Sequence, residues 1–110
     1  MKLTLAASIL AFCATQVAAN GSITACKSNN GADCTTITGL VPPKNCNGGC
    51  AKFAAGTEKS VKAAHVDHDV NGHDYCFTVY TDDNCNTGKR KVPTGNFING
   101  NFKAFSYDCC

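Results

Sequence analysis

The amino-acid sequence predicts an all-β fold, or a β-rich fold with one short helix, in which two sheets form a disulfide-stapled Greek-key sandwich. Three observations support this fold class. Nine cysteines occur in only 110 residues, which is typical of small domains that depend on disulfides for stability. Short apolar runs are separated by Gly, Asn, Asp and Thr at turn-like intervals. The sequence also lacks a long amphipathic helical pattern.

The segment 1–19 has the pattern of a secretory signal peptide. Lys2 supplies the positive start, residues 3–17 are mostly apolar and uncharged, and Ala19 is a small residue of the kind that a signal peptidase requires. Cleavage before Asn20 would leave a single domain of residues 20–110. Asn20 also begins an N-glycosylation sequon. We therefore expect a secreted, extracellular protein.

The cysteines beyond the signal peptide are even in number and predict four disulfides. Cys13 would be removed with the signal, and an oxidising route lets the other thiols pair rather than bind metal. Cys109 and Cys110 are adjacent, so each is expected to have a different partner, because a disulfide between neighbours is strained. The sequence leaves the pairing open among Cys26, Cys34, Cys46, Cys50, Cys76, Cys85, Cys109 and Cys110.

The charge balance argues against nucleic-acid binding, and the hydropathy argues against a transmembrane segment. Without Lys2 the chain carries nine basic and eight acidic residues, and this balance disfavours nucleic-acid binding. No apolar stretch beyond residue 19 approaches the roughly 20 residues that span a bilayer, so no transmembrane segment is expected. The low apolar content predicts a small core that disulfides would supplement. We expect a monomer.

The segment Ala51–Ala64 is the best candidate for the one short helix. It is rich in alanine, but Gly56 and Thr57 interrupt it. A turn followed by a strand fits the pattern equally well, and the sequence leaves both alternatives open.

The clearest strand signal is a hairpin closed by Asn71 and Gly72. Asn-Gly is the strongest short signal for a type I′ turn, and apolar residues flank it on both sides. A two-residue loop would place opposite one another the pairs Val70–His73, His68–Tyr75 and Val66–Phe77, with Asp69 opposite Asp74 on the other face.

A weak internal repeat divides the domain into two similar units. Residues 60–67 (SVKAAHVD) and 101–108 (NFKAFSYD) share Lys, Ala and Asp in register. Each unit would contain about four strands, and the units would pack face to face because neither can bury its apolar surface alone.

The second unit resembles a βγ-crystallin Greek-key motif. Residues 77–88 (FTVYTDDNCNTG) have its aromatic strand and its acidic hairpin closing on glycine, and residues 102–107 (FKAFSY) have its final short strand. The sequence departs from the motif at Cys85, where an aromatic residue is usual, and Tyr80 to Gly88 is one residue longer than the usual spacing. The resemblance implies a two-sheet Greek-key sandwich.

The whole chain also resembles the small secreted cysteine-rich proteins of filamentous fungi. The resemblance lies in the cysteine content and in the hairpin Tyr80-Thr81-Asp82-x-x-Cys85. That group includes plant-pathogen effectors and killer-type antifungal toxins. It implies action outside the cell, on a host or competitor protein or on a cell-surface component.

The polar segment 65–74 contains candidate calcium ligands. Asp67, Asp69 and Asn71 are spaced as at the start of an EF-hand loop. Thr78 stands where that loop needs a bidentate glutamate, and Asp74 stands where it needs an apolar residue. A polar hairpin closed by Asn71 and Gly72 is therefore the favoured interpretation. A second stretch, Asn99-Gly100-Asn101, resembles the crystallin-type calcium site, but the nearby cationic Lys103 disfavours binding there.

The three histidines of the chain, His65, His68 and His73, offer ligands of the type that zinc or copper prefers. His65 and His68 are three positions apart in a predicted strand, so they would point to opposite faces. Solvated or tyrosine-packed histidines are therefore the alternative.

Loops held by a rigid scaffold are the expected contact surfaces. One is the turn at Asn71 and Gly72. The other includes Asp82, Asp83, Lys89, Arg90 and Lys91. The basic run 89–91 is alternatively the solvated tip of a hairpin or a dibasic processing site.

These features favour a secreted effector or elicitor that binds a host extracellular or membrane partner without catalysis and without a cofactor. Catalysis has little support, because no serine lies in a nucleophile-elbow context and Glu58 is the only glutamate. The alternatives, in order, are a killer-type antimicrobial toxin, a secreted protease inhibitor and a small hydrolase.

Overall fold

Eight strands and one 3-10 helix run through residues 20–110, which are the residues that the computed structural model describes. The predicted signal peptide, residues 1–19, lies outside them. In chain order the elements are β1 (Gly21–Ser28), the 3-10 helix (Asn29–Gly31), β2 (Ala32–Leu40), β3 (Ala51–Lys52), β4 (Glu58–His65), β5 (Tyr75–Tyr80), β6 (Arg90–Lys91), β7 (Ile98–Phe102) and β8 (Ala104–Cys109). Between residues 20 and 110 there is no α-helix, so the all-β prediction is confirmed.

The candidate helix segment Ala51–Ala64 contains β3, a turn and most of β4. Gly56 has a φ of 93° in this turn, a conformation that interrupts a right-handed helix. In β4 the buried side chains of Val61 and Ala63 alternate with the more exposed Lys62, which is the period of a strand. The turn-plus-strand alternative is therefore confirmed and the helix alternative is wrong.

The strands form two four-stranded antiparallel sheets. The strand order is β2-β1-β4-β7 in the first sheet and β3-β8-β5-β6 in the second. Buried side chains from both sheets form one core cluster, as expected when each sheet has a single apolar face. The predicted two-sheet sandwich is therefore confirmed.

The two halves of the domain follow the same pattern of strand order. In each half the fourth strand lies beside the first, β4 beside β1 and β8 beside β5, and the third strand lies at the edge of the opposite sheet. The repeated segments, residues 60–67 and 101–108, supply β4 and β8 in equivalent positions. β3 therefore joins the sheet of the second half and β7 joins the sheet of the first half, so the two halves share both sheets. Greek-key connectivity as a whole stays a prediction.

The core between the sheets is dominated by aromatic side chains. Phe77 and Tyr107 stack with their ring centroids 4.3 Å apart, and the ring centroids of Phe53 and Phe105 are 4.9 Å apart. Burying one side chain of this size contributes about 1.5–3 kcal/mol. The other fully buried members are Ile23, Val61, Tyr75, Val79 and Phe102.

The Asn71–Gly72 turn forms as predicted. Both residues have positive φ, 53° and 78°, which a type I′ turn requires. Val70 and His73 exchange two backbone hydrogen bonds across it, at 3.0 and 2.9 Å.

The predicted register beyond this turn, His68 with Tyr75 and Val66 with Phe77, is wrong. β4 belongs to the first sheet and β5 to the second, so the chain crosses between sheets here instead of continuing a hairpin. β5 pairs with β8, through Tyr75–Cys109 and Phe77–Tyr107. This pairing buries the Phe77 ring completely between the sheets.

All eight cysteines of residues 20–110 form disulfides, as predicted. The pairs are Cys26–Cys34, Cys46–Cys109, Cys50–Cys85 and Cys76–Cys110. The first joins β1 to β2, and the other three join β5, β8 and the loops around them. Cys109 and Cys110 have different partners, as expected.

Candidate functional site

A groove of about 660 Å³ lies beside β5 and β6, and we call it the Lys91 groove. It brings together residues from the crossover segment, β5, β6 and the segment that follows β6. Its lining comprises Val66, His68, Asp74, Tyr75, Cys76, Lys91, Val92, Pro93, Thr94, Gly95 and Cys110.

The segment after β6 bridges the two sheets at this groove. The N–H of Val92 donates to the carbonyl of Phe77 at 2.9 Å, and the N–H of Ala63 donates to the carbonyl of Pro93 at 2.9 Å. Phe77 belongs to the second sheet and Ala63 to the first. The Cys76–Cys110 disulfide lines the same groove. The groove is therefore held by backbone hydrogen bonds and a covalent bond.

Charged side chains from two parts of the chain line this groove. His68 Nδ1 lies 3.7 Å from Asp74 Oδ1, and their side chains are 72% and 63% exposed. Asp74 Oδ1 also accepts the backbone N–H of Asp69 at 2.9 Å. This contact replaces the direct carboxylate repulsion expected between the two aspartates. Lys91 is exposed and lines the same groove.

The Lys91 groove therefore offers a polar rim and an apolar floor. Val66, Val92, Pro93 and the disulfide supply apolar surface, whereas the histidine, aspartate and lysine supply charge and hydrogen-bonding groups. Such a combination suits the binding of a partner by packing and orientation. Solvent screens the attraction within the exposed His68–Asp74 pair.

Asp67 is buried and is hydrogen-bonded to the core residue Tyr107. Its Oδ2 accepts the hydroxyl of Tyr107 at 2.6 Å, and its backbone N–H donates to the same hydroxyl oxygen at 2.7 Å. Burial raises the pKa of Tyr107, and the hydrogen bond to the Asp67 carboxylate raises it further. His65 Nε2 lies 3.7 Å from Asp67 Oδ1. These contacts anchor the crossover segment to β8.

The predicted calcium ligands Asp67, Asp69 and Asn71 do not converge. Asp67 is engaged with Tyr107, and the Nδ2 of Asn71 donates to the hydroxyl of Tyr75 at 3.2 Å. Asp69 has a positive φ of 53° and is exposed. Calcium binding here stays a prediction that the side-chain geometry does not support.

The three histidines have separate surroundings. His65 lies near Asp67, His68 near Asp74, and the His73 ring lies 6.3 Å from the Tyr75 ring centroid. Within residues 20–110, the one metal-like group of histidine, cysteine and acidic side chains is Cys46, His73 and Cys109. Both of its sulfur atoms belong to a disulfide, so neither is a thiolate ligand.

The crystallin-type calcium stretch is engaged with protein donors. Asn99 Oδ1 accepts the backbone N–H of Asn30 at 2.8 Å, and Asn101 Oδ1 accepts the Nζ of Lys59 at 2.6 Å. Lys59 adds a second cation to that of Lys103. The side-chain oxygens of Asn99 and Asn101 are therefore both hydrogen-bonded to protein donors.

The loop 81–88 is organised by Asp82. Its Oδ1 accepts the backbone N–H groups of Asn86 and Thr87 at 2.9 and 3.0 Å, and its Oδ2 accepts that of Asn84 at 3.3 Å. The Thr87 backbone hydrogen bond is the main cause that lowers the pKa of Asp82 below its ordinary value. The loop follows β5, whereas the Asn71–Gly72 turn precedes it. The two predicted contact loops therefore lie at opposite ends of β5 and do not form one surface.

The basic run 89–91 enters an edge strand, β6, rather than forming a hairpin tip. Arg90 Nη1 donates to the carbonyl of Asn99 at 2.8 Å, and its guanidinium lies 5.7 Å from the Phe102 ring centroid. Lys91 lines the groove instead. The run is thus divided between two surfaces. Asn20 precedes β1, and its glycosylation stays a prediction.

One charged pair was not expected from the sequence. Glu58 is only 5% exposed, and its Oε2 lies 3.6 Å from the Nζ of Lys27. The only sequence signal was that Glu58 is the single glutamate of the chain.

Comparison with protein-family models, curated proteins and solved structures gave no match for this chain. In the part from residue 20 to residue 110, no helix has the length and apolar character needed to cross a bilayer. Function is therefore inferred from the geometry and chemistry of the surface.

Proposed function

We propose that the protein is a secreted, non-enzymatic binding protein that acts as an effector or elicitor toward a host. The observation that carries this proposal is the Lys91 groove, a recess of about 660 Å³ with an apolar floor and a charged rim, fixed by the Cys76–Cys110 disulfide. The groove is its contact surface for a host extracellular or membrane partner.

The disulfides support an extracellular site of action. Four of them stabilise a small domain, and such bonds persist in oxidising compartments. The signal-peptide pattern of residues 1–19 and the resemblance to small secreted fungal proteins support the same location.

Rigidity supports binding through a preformed surface. The groove wall is tied to both sheets through Val92 and Pro93, and to a disulfide through Cys76. Because this surface is already ordered, binding a partner costs the protein little conformational entropy. Opposite charges at Asp74 and Lys91 would orient the partner, because charged rims contribute specificity and association rate.

Leaf infiltration tests the proposal. Purified, oxidised protein lacking residues 1–19 should induce cell death or defence markers, whereas a reduced and alkylated sample should not. Lys91→Glu reverses the charge on the groove rim and should raise the effective dose roughly tenfold or more. Lys44→Glu is the matched control, because Lys44 is an exposed lysine outside the groove.

Three outcomes would overturn the proposal. Equal activity of the reduced sample would exclude a folded contact surface, and equal loss in both lysine variants would exclude the groove. Absence of any leaf response, combined with growth inhibition of fungi or bacteria, would instead favour the antimicrobial toxin.

A further inference from the structure

β2 is the longest edge strand among residues 20–110, and it is regularly paired on only one side, with β1. It contains nine residues, none of them fully buried, and Asp33 is its only charged residue. The other three edges differ. β3 and β6 contain two residues each, and the carbonyl of Asn99 in β7 accepts Arg90. Long, uncharged edges are the ones that pair with another strand.

A cavity of about 130 Å³ lies beside β2. Asp33, Thr35 and Ile37 of β2 line one wall at alternate positions, as expected for one face of a strand. Ala25 and Phe53 extend the apolar wall. The cavity thus lies where a strand added to β2 would direct an alternate side chain.

Glu58 also lines this cavity, and one of its oxygens is unsatisfied. Its side chain is 7% exposed, and within residues 20–110 its Oε1 has no hydrogen-bond partner. A buried carboxylate oxygen without a donor is costly, so a native example calls for an explanation.

Lys27 does not supply the missing donor. Its ammonium group has three protons, and it faces three acceptors: the carbonyl of Ala55, the carbonyl of Thr57 at 3.2 Å, and Glu58 Oε2 at 3.6 Å. Asp33 adds a second carboxylate to the cavity lining. Two carboxylates therefore face one amine, and this charge pattern favours a further cation.

We propose that β2 and this cavity together bind an extended segment of a partner protein that carries a lysine or arginine side chain. The partner backbone pairs with β2 and extends the first sheet. The basic side chain enters the cavity, where its aliphatic stem packs on Ile37 and Phe53 and its charged end lies between the carboxylates of Asp33 and Glu58. A rotation of the Glu58 side chain toward the cavity then gives Oε1 its donor. Backbone pairing supplies affinity, and the cavity supplies specificity. The inference rests on the proposed binding function and adds a second contact surface, in the other sheet.

NMR titration of the isotope-labelled, oxidised protein tests this inference. The probe is the synthetic peptide acetyl-Thr-Val-Thr-Lys-Thr-Val-Thr-amide, and its partner peptide has glutamate in place of lysine. The lysine peptide should shift the amide resonances of residues 34–38 and of Glu58. The glutamate peptide should bind at least about tenfold more weakly.

Glu58→Gln should weaken binding of the lysine peptide roughly tenfold, because an amide does not pair with the cation as a carboxylate does. Asp108→Asn is the matched control, since it removes one negative charge outside the cavity and should leave binding unchanged. Should Glu58→Gln fail to fold, the two peptides on the unmodified protein still decide the charge preference.

Backbone methylation of the peptide tests strand pairing. Methyl groups on the amides of one peptide edge should abolish binding, whereas methyl groups on the other edge should leave it intact. Equal binding of both methylated peptides would overturn strand addition. No shift in residues 34–38 at about 1 mM peptide, which corresponds to less than about 4 kcal/mol of binding free energy, would overturn the inference. Neither result depends on the leaf assay of Lys91→Glu.

Discussion

At the scale of single residues, the hydroxyl of Tyr107 connects the crossover segment to the core. It donates to the carboxylate of Asp67 and accepts the backbone N–H of the same residue. The Asp67 side chain is 1% exposed, so water cannot replace the Tyr107 hydroxyl as its hydrogen-bond donor. A hydrogen bond to a buried charged group is among the stronger ones in proteins.

Tyr107→Phe should therefore lower the free energy of unfolding by about 2 kcal/mol. The ring stays in place, but one Asp67 oxygen loses its donor. Urea unfolding monitored by circular dichroism measures the change. Tyr80→Phe is the control, because the Tyr80 hydroxyl makes only a 3.4 Å contact with Ser106 in a half-buried position. A similar loss in both variants would contradict the role assigned to Tyr107.

At the scale of elements, the loop 81–88 is folded around the Asp82 carboxylate. Three backbone N–H groups donate to it, from Asn84, Asn86 and Thr87. These bonds favour the charged form, so the folded protein holds the pKa of Asp82 below its ordinary value. The stability that these bonds contribute is fully present above the pKa that Asp82 has in the unfolded chain. It is lost as the pH falls through the lower pKa that Asp82 has in the folded protein.

Acid titration of stability tests the loop. Between about pH 5 and pH 2, the free energy of unfolding of Asp82→Asn should fall less than that of the unmodified protein, because the asparagine has no proton to gain. Thermal unfolding at a series of pH values provides the measurement. Asp83→Asn, which changes the neighbouring exposed carboxylate, is the control. The same acid slope in all three proteins would exclude the Asp82 contribution.

The elements also show how far the sequence could predict this fold. The alternation of apolar residues was sufficient to predict the strands, and the Asn71–Gly72 pair was sufficient to predict the turn. Both features depend only on residues that are close in sequence. The pairing of Phe77 with Tyr107 was not predictable, because it depends on which sheet receives β5. The same limit applies to the sites. Glu58 and Lys27 are far apart in sequence, and only the packed sandwich brings them to one cavity.

At the scale of the whole molecule, the disulfides differ in the length of chain that they close. Cys26–Cys34 spans 8 residues within one pair of strands, whereas Cys46–Cys109 spans 63 residues and joins a loop to β8. In the chain-entropy account, a longer closed loop restricts the unfolded state more strongly.

Removing the long-range bond should therefore cost more stability. The retained Cys50–Cys85 and Cys76–Cys110 bonds shorten the loop that Cys46–Cys109 closes in the unfolded chain to about 14 residues. C46A/C109A should therefore lose about 3 kcal/mol, and C26A/C34A about 2.5 kcal/mol. Both variants keep the other three disulfides, and guanidinium unfolding compares them directly. A larger loss for C26A/C34A would show that packing around the fully buried Cys26, and not loop length, sets the contribution.

The late positions of Cys109 and Cys110 in the chain determine when two of the native disulfides can form during synthesis. Their partners, Cys46 and Cys76, are translated 63 and 34 positions earlier. Under oxidising conditions, Cys46 and Cys76 have no native partner until residues 109 and 110 have been made, and their thiols can form non-native bridges with other cysteines. Any such bridge must be undone by thiol–disulfide exchange before the native pairs can form. A production host consequently needs an isomerase as well as an oxidant.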